Sequence, residues 1–297
     1  MPSRLSLAAL AAALVASPAA AQQDAFEWSG SVPAGATVRV YSNSGDVIVS
    51  RAAGSTARVR GQARHGSRGS AREVRWRMVR DGQNVTFCAL FTEGGECTMQ
   101  GIRDDSYRGN NSTRADYRVE LPSGVLLAAG SGNGDVTVDG ATASVRASSG
   151  NGDVKVGSGA GEVHASTGNG GVRVSGARGA VQASSGNGSI DVATARGPVS
   201  ASSGNGSIRV SMESMASTGD LRFSSGNGRI TLLLPDDFDA ELDASTGSGS
   251  IDSDFEVRTS GRISRHRLRG TIGSGGRMLR VSSGSGSIEL LRQSGRR

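Results

Sequence analysis

The sequence predicts an all-β protein, a parallel β-solenoid (β-helix) of about 18-residue coils with an antiparallel β insertion near the N-terminus. Three observations predict it. The segments GSGNGDV, SSGNGDV, STGNGGV, SSGNGSI and SSGN succeed one another so that Asn133, Asn151, Asn169, Asn187 and Asn205 lie 18 residues apart. Apolar residues alternate with polar ones on both sides of that motif, as in VRASSGNGDVKV, which is strand periodicity. Finally, of 297 residues only 36% are hydrophobic and 4% aromatic while 45 are Gly, too lean for a conventional core but enough for a stack of thin repeated units.

Residues 1–21 read as a signal peptide. Arg4 precedes an apolar run of 11 from Leu5 to Val15, and Ala19-Ala20-Ala21 supplies small residues for cleavage before Gln22. That run is too short for a bilayer and no other stretch approaches a spanning length, so the expectation is an exported chain (periplasmic, secreted or at the cell surface) with no transmembrane segment. No Cys stands just after the cleavage point, which argues against a lipid anchor.

Residues 22–49 hold the mature N-terminus and the first coil. VRVYSNSGD at Val38 to Asp46 aligns with VRASSGNGD at Val145 to Asp153. Residues 50–126 form an arginine-rich insertion. In EVRWRMVR, Val74, Trp76 and Met78 fall on one side and Arg75 and Arg77 on the other; NVTFCALF, ECTM and ADYRVEL continue the strand pattern. A small antiparallel meander covering an end or flank of the stack is expected, with a polar loop from Asp104 to Thr113. Cys88 and Cys97 flank Gly94-Gly95, a good turn between short strands, and in an oxidising compartment they are expected to form a disulfide; with no His nearby they make a poor zinc site.

Residues 127–297 carry the solenoid repeats. Copies start at Leu127, Val145, Val163, Val181, Val199, Leu221, Leu242 and Leu279, which with Val38 makes nine. Four intervals of 18 are followed by steps of 22, 21 and 37, where loops containing Pro235 and RISRHRLR are let out. Each coil is two short strands joined at a corner. The structural turn residues are Asn133, Asn151, Asn169, Asn187, Asn205 and Asn227 with Gly134, Gly152, Gly170, Gly188, Gly206 and Gly228. Glycines such as Gly150 and Gly152 permit positive φ there and Asn tolerates it. One coil buries too few side chains to offset the roughly 1–2 kcal/mol of chain entropy per ordered residue, so stacking is obligatory. Stacking predicts an inner column of Val136, Val154, Val172, Ile190, Ile208 and Ile230, and an amide ladder of the asparagines. A β-hairpin array competes, because NG between strands is a hairpin signal. Identical small residues recurring at one place in every copy favour parallel in-register stacking.

The SGNGDV and SGNGSI units, the lead-in DYRVELPSGVLLAAGSGNGDV at Asp116 to Val136 and the ending GTIGSGGRMLRVSSGSGSIEL resemble the bacterial putative-adhesin family of β-strand-repeat proteins, a domain of unknown function. The resemblance implies an exported, non-enzymatic β-solenoid, and it brings no catalytic or binding residues to carry over. The arginine-rich, cysteine-bearing insertion departs from the family's simpler layout.

Catalytic signatures are missing from the sequence. Neither G-x-S-x-G nor G-x-x-x-x-G-K-[ST] occurs, and His65, His164 and His266 are scattered. GNGD resembles the turns of calcium-binding β-rolls, but after Asp46, Asp135 and Asp153 the column continues Gly171, Ser189, Ser207, Arg229, Ser250 and Ser287. The expectation is no enzyme, with no catalytic, cofactor-binding or metal residue and no cofactor. The formal net charge is +6, with clusters at Arg51 to Arg80 and in RISRHRLR that could attract anions by bidentate pairing, although solvated strand faces and loops are what such charge runs usually mean. Expected partners are an anionic glycan, an envelope polymer or another surface protein, with no specific nucleic acid, and self-association through open stack ends. The function expected is a cell-envelope or surface β-repeat protein acting as an adhesin or structural binding module; the alternative is a solenoid-type polysaccharide-processing enzyme.

Overall fold

The computed structural model describes residues 24–66, 74–104, 113–140, 143–157, 161–194, 196–214, 219–259 and 264–293. The predicted signal peptide lies outside the described residues, as does most of the polar loop after Asp104. Every regular element among them is a strand: two long sheets of 12 and 13 strands enclose one core, and a two-stranded hairpin, Glu96–Thr98 with Gly101–Arg103, stands beside them.

A single layer shows how the sequence does this. In Ser144–Asn151, Val145, Ala147 and Ser149 are buried while Arg146 and Ser148 are exposed. After the corner, Val154–Val156 places its two valines inward in the opposite sheet. Each strand then pairs in parallel, in register, with the copies on either side: Val145 with Leu127 and Val163, Val154 with Val136 and Val172. The fold is therefore the parallel solenoid that the repeat predicts. Val136, Val154, Val172, Ile190, Ile208 and Ile230 form the inner column, none more than 2% exposed. Each such side chain contributes about 1.5–3 kcal/mol on burial, so the stack gains with every added layer.

At the corner the residue before the Gly-Asn-Gly turn is buried and polar. Ser149 Oγ donates to the Gly134 carbonyl at 2.8 Å, and Thr167, Ser185, Ser203 and Ser225 do the same to Gly152, Gly170, Gly188 and Gly206. These bonds satisfy carbonyls that the turn would otherwise leave buried and unpaired. Outside them runs the amide ladder, in which Nδ2 of Asn151, Asn169, Asn187, Asn205 and Asn227 donates to Oδ1 of the asparagine one layer before, at 2.7–2.8 Å.

The role expected of the corner glycines is corrected. Positive φ occurs at Gly45 (138°) and Gly134 (158°), but not at Gly150, Gly152, Gly170, Gly188, Gly206 or Gly228, and no corner Asn has it. Close approach is what demands glycine there. A Cβ on Gly152, Gly170, Gly206 or Gly228 would stand 2.1–2.3 Å from the carbonyl oxygen of the equivalent glycine in the adjacent layer.

The spatial order of layers also departs from chain order. Ile288–Arg292 pairs with Ile230–Leu234 on one side and with Ile251–Ser253 on the other, and Met278–Ser283 lies between Leu221–Ser225 and Ala240–Thr246. The last copy in sequence is thus the penultimate layer in space. The copy at Leu242 forms the end, where Arg267–Ile272 covers it as an antiparallel strand. The opposite end uses the same device. The insertion's Asn84–Leu90 and Arg114–Leu121 add a further parallel layer outside the first coil, and Arg75–Asp81 and Thr56–Arg64 close it antiparallel, followed by Ala25–Ser31. Phe26, Trp28, Trp76, Phe87 and Tyr117 pack together in this cap, with ring centroids 5.0–5.9 Å apart. Met78, on the same side of its strand as Val74 and Trp76, is 44% exposed, its strand being the edge of the 13-stranded sheet among the described residues.

Candidate binding faces

Strand alternation turns one side chain per layer outward at each position, so both sheets present columns. On the 12-stranded sheet the outward column reads Thr137, Lys155, Arg173, Asp191, Arg209, Thr231, Glu289 and Asp252. Arg173 faces Asp191 at 3.8 Å, and Arg229 reaches Glu289 at 3.3 Å. Arg209 has no ion pair among the described residues.

Beside this column the corner aspartates form a ladder of their own. Asp46 N–H donates to Asp116 Oδ1, Asp135 N–H to Asp46 Oδ1, Asp153 N–H to Asp135 Oδ1, and Gly171 N–H to Asp153 Oδ1, each at 2.9 Å. Cations flank it: Arg114 lies 2.8 Å from Asp46, Arg64 lies 3.0 Å from Asp116, and Lys155 lies 3.5 Å from Asp153. These carboxylates therefore hold successive layers together through backbone amides. Among the described residues no group of three or more His, Cys, Asp or Glu is arranged to hold a metal ion. Where the ladder stops, Gly171, Ser189 and Ser207 open a groove of about 310 Å³ walled by Lys155, Arg173 and Arg209.

The 13-stranded sheet is different. Its central outward column begins at Cys88 and Tyr41, passes Gly130, and continues as Ser148, Ser166, Ser184, Ser202, Ser224, Ser282 and Ser245. A parallel column holds Arg39, Ala128, Arg146, His164, Gln182 and Ser200. Cys88 and Cys97 are joined by a disulfide, which ties the Glu96–Arg103 hairpin over Tyr41. Sequence inspection missed the cleft this creates, although the signal was present: Tyr41 occupies the position that is Ser148 in the aligned copy. The three histidines remain apart. His65 contacts Asp24 at 2.9 Å, His164 contacts Glu162 at 2.8 Å, and His266 faces the Gly249 carbonyl at 3.0 Å.

Fold and faces define a capped parallel β-solenoid with ladder-like outer surfaces. The sequence matches the Toastrack DUF4097 family over residues 67–291, and the chain belongs to that family. Solved structures that match the chain include a putative adhesin from Bacteroides fragilis, 10% identical over 91% of this chain and 98% of that one, with a TM-score of 0.45. Others are a putative cell adhesion protein from Clostridium sporogenes (9% identity, 91% and 100% coverage, TM-score 0.25) and a putative adhesin from Parabacteroides distasonis (9%, 90% and 97%, 0.30). The family assignment rests on the sequence match. No curated protein matches the chain.

Proposed function

We propose that this is an exported, non-enzymatic cell-envelope or surface protein that acts as an adhesive or structural binding module. The observation that carries this reading is the repeat of outward side chains once per layer on a capped, internally hydrogen-bonded stack. A stiff surface with a fixed spacing of about 4.8 Å per layer suits an extended polymer or a partner's surface. The Cys88–Cys97 disulfide supports an oxidising compartment, in keeping with the signal-like N-terminal segment. Arg173 and Arg209 beside Asp153 and Asp191 give a mixed-charge groove suited to an anionic glycan or envelope polymer.

The test is capture of envelope polysaccharide by the mature chain. Binding that weakens as salt rises, without release of shortened products, supports the proposal. Product release abolished by changing Asp135, Asp153 or Arg173 would instead favour a polysaccharide-processing enzyme.

A further inference from the structure

The outer face of the 13-stranded sheet holds a cleft of about 540 Å³ at its N-terminal end, within the roughly 300–1,000 Å³ of small-molecule sites. Arg39 and Arg146 stand on its floor two layers apart, about 9.6 Å between strands, with only Ala128 between them. Tyr41 forms a third side. Its ring lies across Gly130, where a Cβ would meet Cδ1 at 2.8 Å, and its far edge approaches Gly101 of the disulfide-tied hairpin. Met99 and Gln100 of that hairpin complete the wall, with Met99 held by the Thr86 hydroxyl.

Two observations mark this cleft as a place for an anion. Arg39 Nη1 is enclosed and has no hydrogen-bond acceptor among the described residues, an expensive condition for a guanidinium N–H. Among the described residues neither Arg39 nor Arg146 forms an ion pair, although Asp81 lies on the rim. Burial pushes the Tyr41 phenol above the usual tyrosine range, against the opposing pull of both arginines, so it stays a neutral donor at physiological pH.

The chemistry beyond the cleft narrows the ligand. The same face continues into a shallow groove of about 290 Å³ lined by His164, Gln182, Ser166, Ser184, Ser200 and Ser202. That groove offers hydroxyls and amides with no arginine, lysine or apolar pocket, the column's next cations, Arg222 and Arg280, standing in the layers beyond it, and so it suits a hydroxylated chain better than a polyphosphate or an apolar peptide.

We propose that Arg39, Arg146 and Tyr41 bind the acidic group, a carboxylate or sulfate, of an anionic saccharide whose neutral units lie across the serine column. The inference rests on the reading of the protein as a binding module. It adds the ligand class and the residues.

The experiment is calorimetric titration of the mature chain with a trigalacturonate, a sulfated neutral trisaccharide and its unsulfated parent, using wild type, Arg146→Ala, the double variant Arg39→Ala/Arg146→Ala, and Arg229→Ala, whose side chain pairs with Glu289 on the other sheet. Binding of either acidic probe but not the neutral parent is expected, and whichever binds tighter names the acid. Charge-assisted contacts predict at least about a tenfold loss in Arg146→Ala, with no detectable binding in the double variant and no change in Arg229→Ala. Arg146 is exposed, so that variant stays informative even if Arg39→Ala disturbs folding, which a melting curve reports. Equal binding of the neutral parent, unchanged affinity in Arg146→Ala, or no binding of either acid at millimolar concentration overturns the site. Envelope polymer still captured by the double variant would reject this site and leave the wider function standing. Binding of an acidic trisaccharide with no capture of any envelope polymer would do the reverse.

Discussion

Gly188 rests so closely on Gly170 that a Cβ on it would stand 1.9 Å from the Gly170 carbonyl oxygen. The contact is backbone against backbone, so no side-chain rotation relieves it. Gly188→Ala is therefore expected to force the layers apart and destabilise the fold by about 1–3 kcal/mol or more. Gly54 is the control, with ordinary φ and nothing within 4 Å of its Cβ position. Chemical denaturation should show Gly54→Ala close to wild type and Gly188→Ala clearly weakened; equal midpoints would show that layer spacing does not set the need for glycine.

The central layers were legible in the sequence because in-register parallel stacking repeats its demands. Val154, Val172 and Ile190 occupy the same place, and so do Asn151, Asn169 and Asn187, since each meets its own copy in the next layer. The reason for glycine was misread because a tight turn and a close backbone approach select the same residue. The ends were harder. RLRGTI at Arg267–Ile272 looks like part of a basic loop, yet it pairs antiparallel on Ala240–Thr246, with Arg269 bonded to Asp243 at 2.8 Å. The Arg39–Tyr41–Arg146 cleft draws on separate stretches of chain, so it emerges only once register places Ala128 between the two arginines.

The amide ladder gives a second prediction. Asn169 donates to Asn151 Oδ1 and accepts from Asn187 Nδ2, both at 2.7 Å and both exposed. Asn169→Ala should cost about 0.5–1.5 kcal/mol, the net worth of ordinary hydrogen bonds. Asn169→Asp should cost at least as much at neutral pH, because a carboxylate sets an acceptor against the Asn151 oxygen. Thermal melts that rank Asp above wild type would refute the ladder's orientation.

Alkaline pH should probe the N-terminal cap. Tyr117 is buried, packed edge-on against Trp76 at 5.2 Å, and its burial holds the phenol well above the usual tyrosine range. A group raised in the folded state lends full stability below its unfolded value, about 10 for tyrosine, and loses that stability as pH rises towards the folded value. Melting temperature should thus fall above about pH 10. Tyr117→Phe should flatten part of the fall, Tyr41 accounting for another part. A variant with the same alkaline slope as wild type would assign the loss elsewhere.

The Cys88–Cys97 bond closes a loop with a sequence separation of 9 and anchors the hairpin beside Tyr41. Replacing both cysteines by Ala should lower stability by about 2–3 kcal/mol on the chain-entropy scale. Denaturation midpoints with and without reductant measure it: wild type should move towards the double variant on reduction, and the variant should not respond.

The inserted order of the C-terminal layers yields the sharpest test of the fold. In chain order Ile288 belongs to the last copy and would sit at the open end, while Ile251 would lie inside. In space Ile288 is flanked by Ile230 and Ile251 and is completely buried, whereas Ile251 lies in the outermost strand and is only partly buried. A cavity between two layers cannot be filled by solvent relaxation as readily as one at an edge. Ile288→Ala should therefore cost about 2–5 kcal/mol, the range for buried aliphatic truncation, and Ile251→Ala clearly less. Urea denaturation of the two variants decides it. If Ile251→Ala proves the more damaging, the layers follow chain order, and Ser283 Oγ could not then reach the Gly228 carbonyl as it does at 2.9 Å, nor Thr246 Oγ1 the Gly286 carbonyl at 2.8 Å.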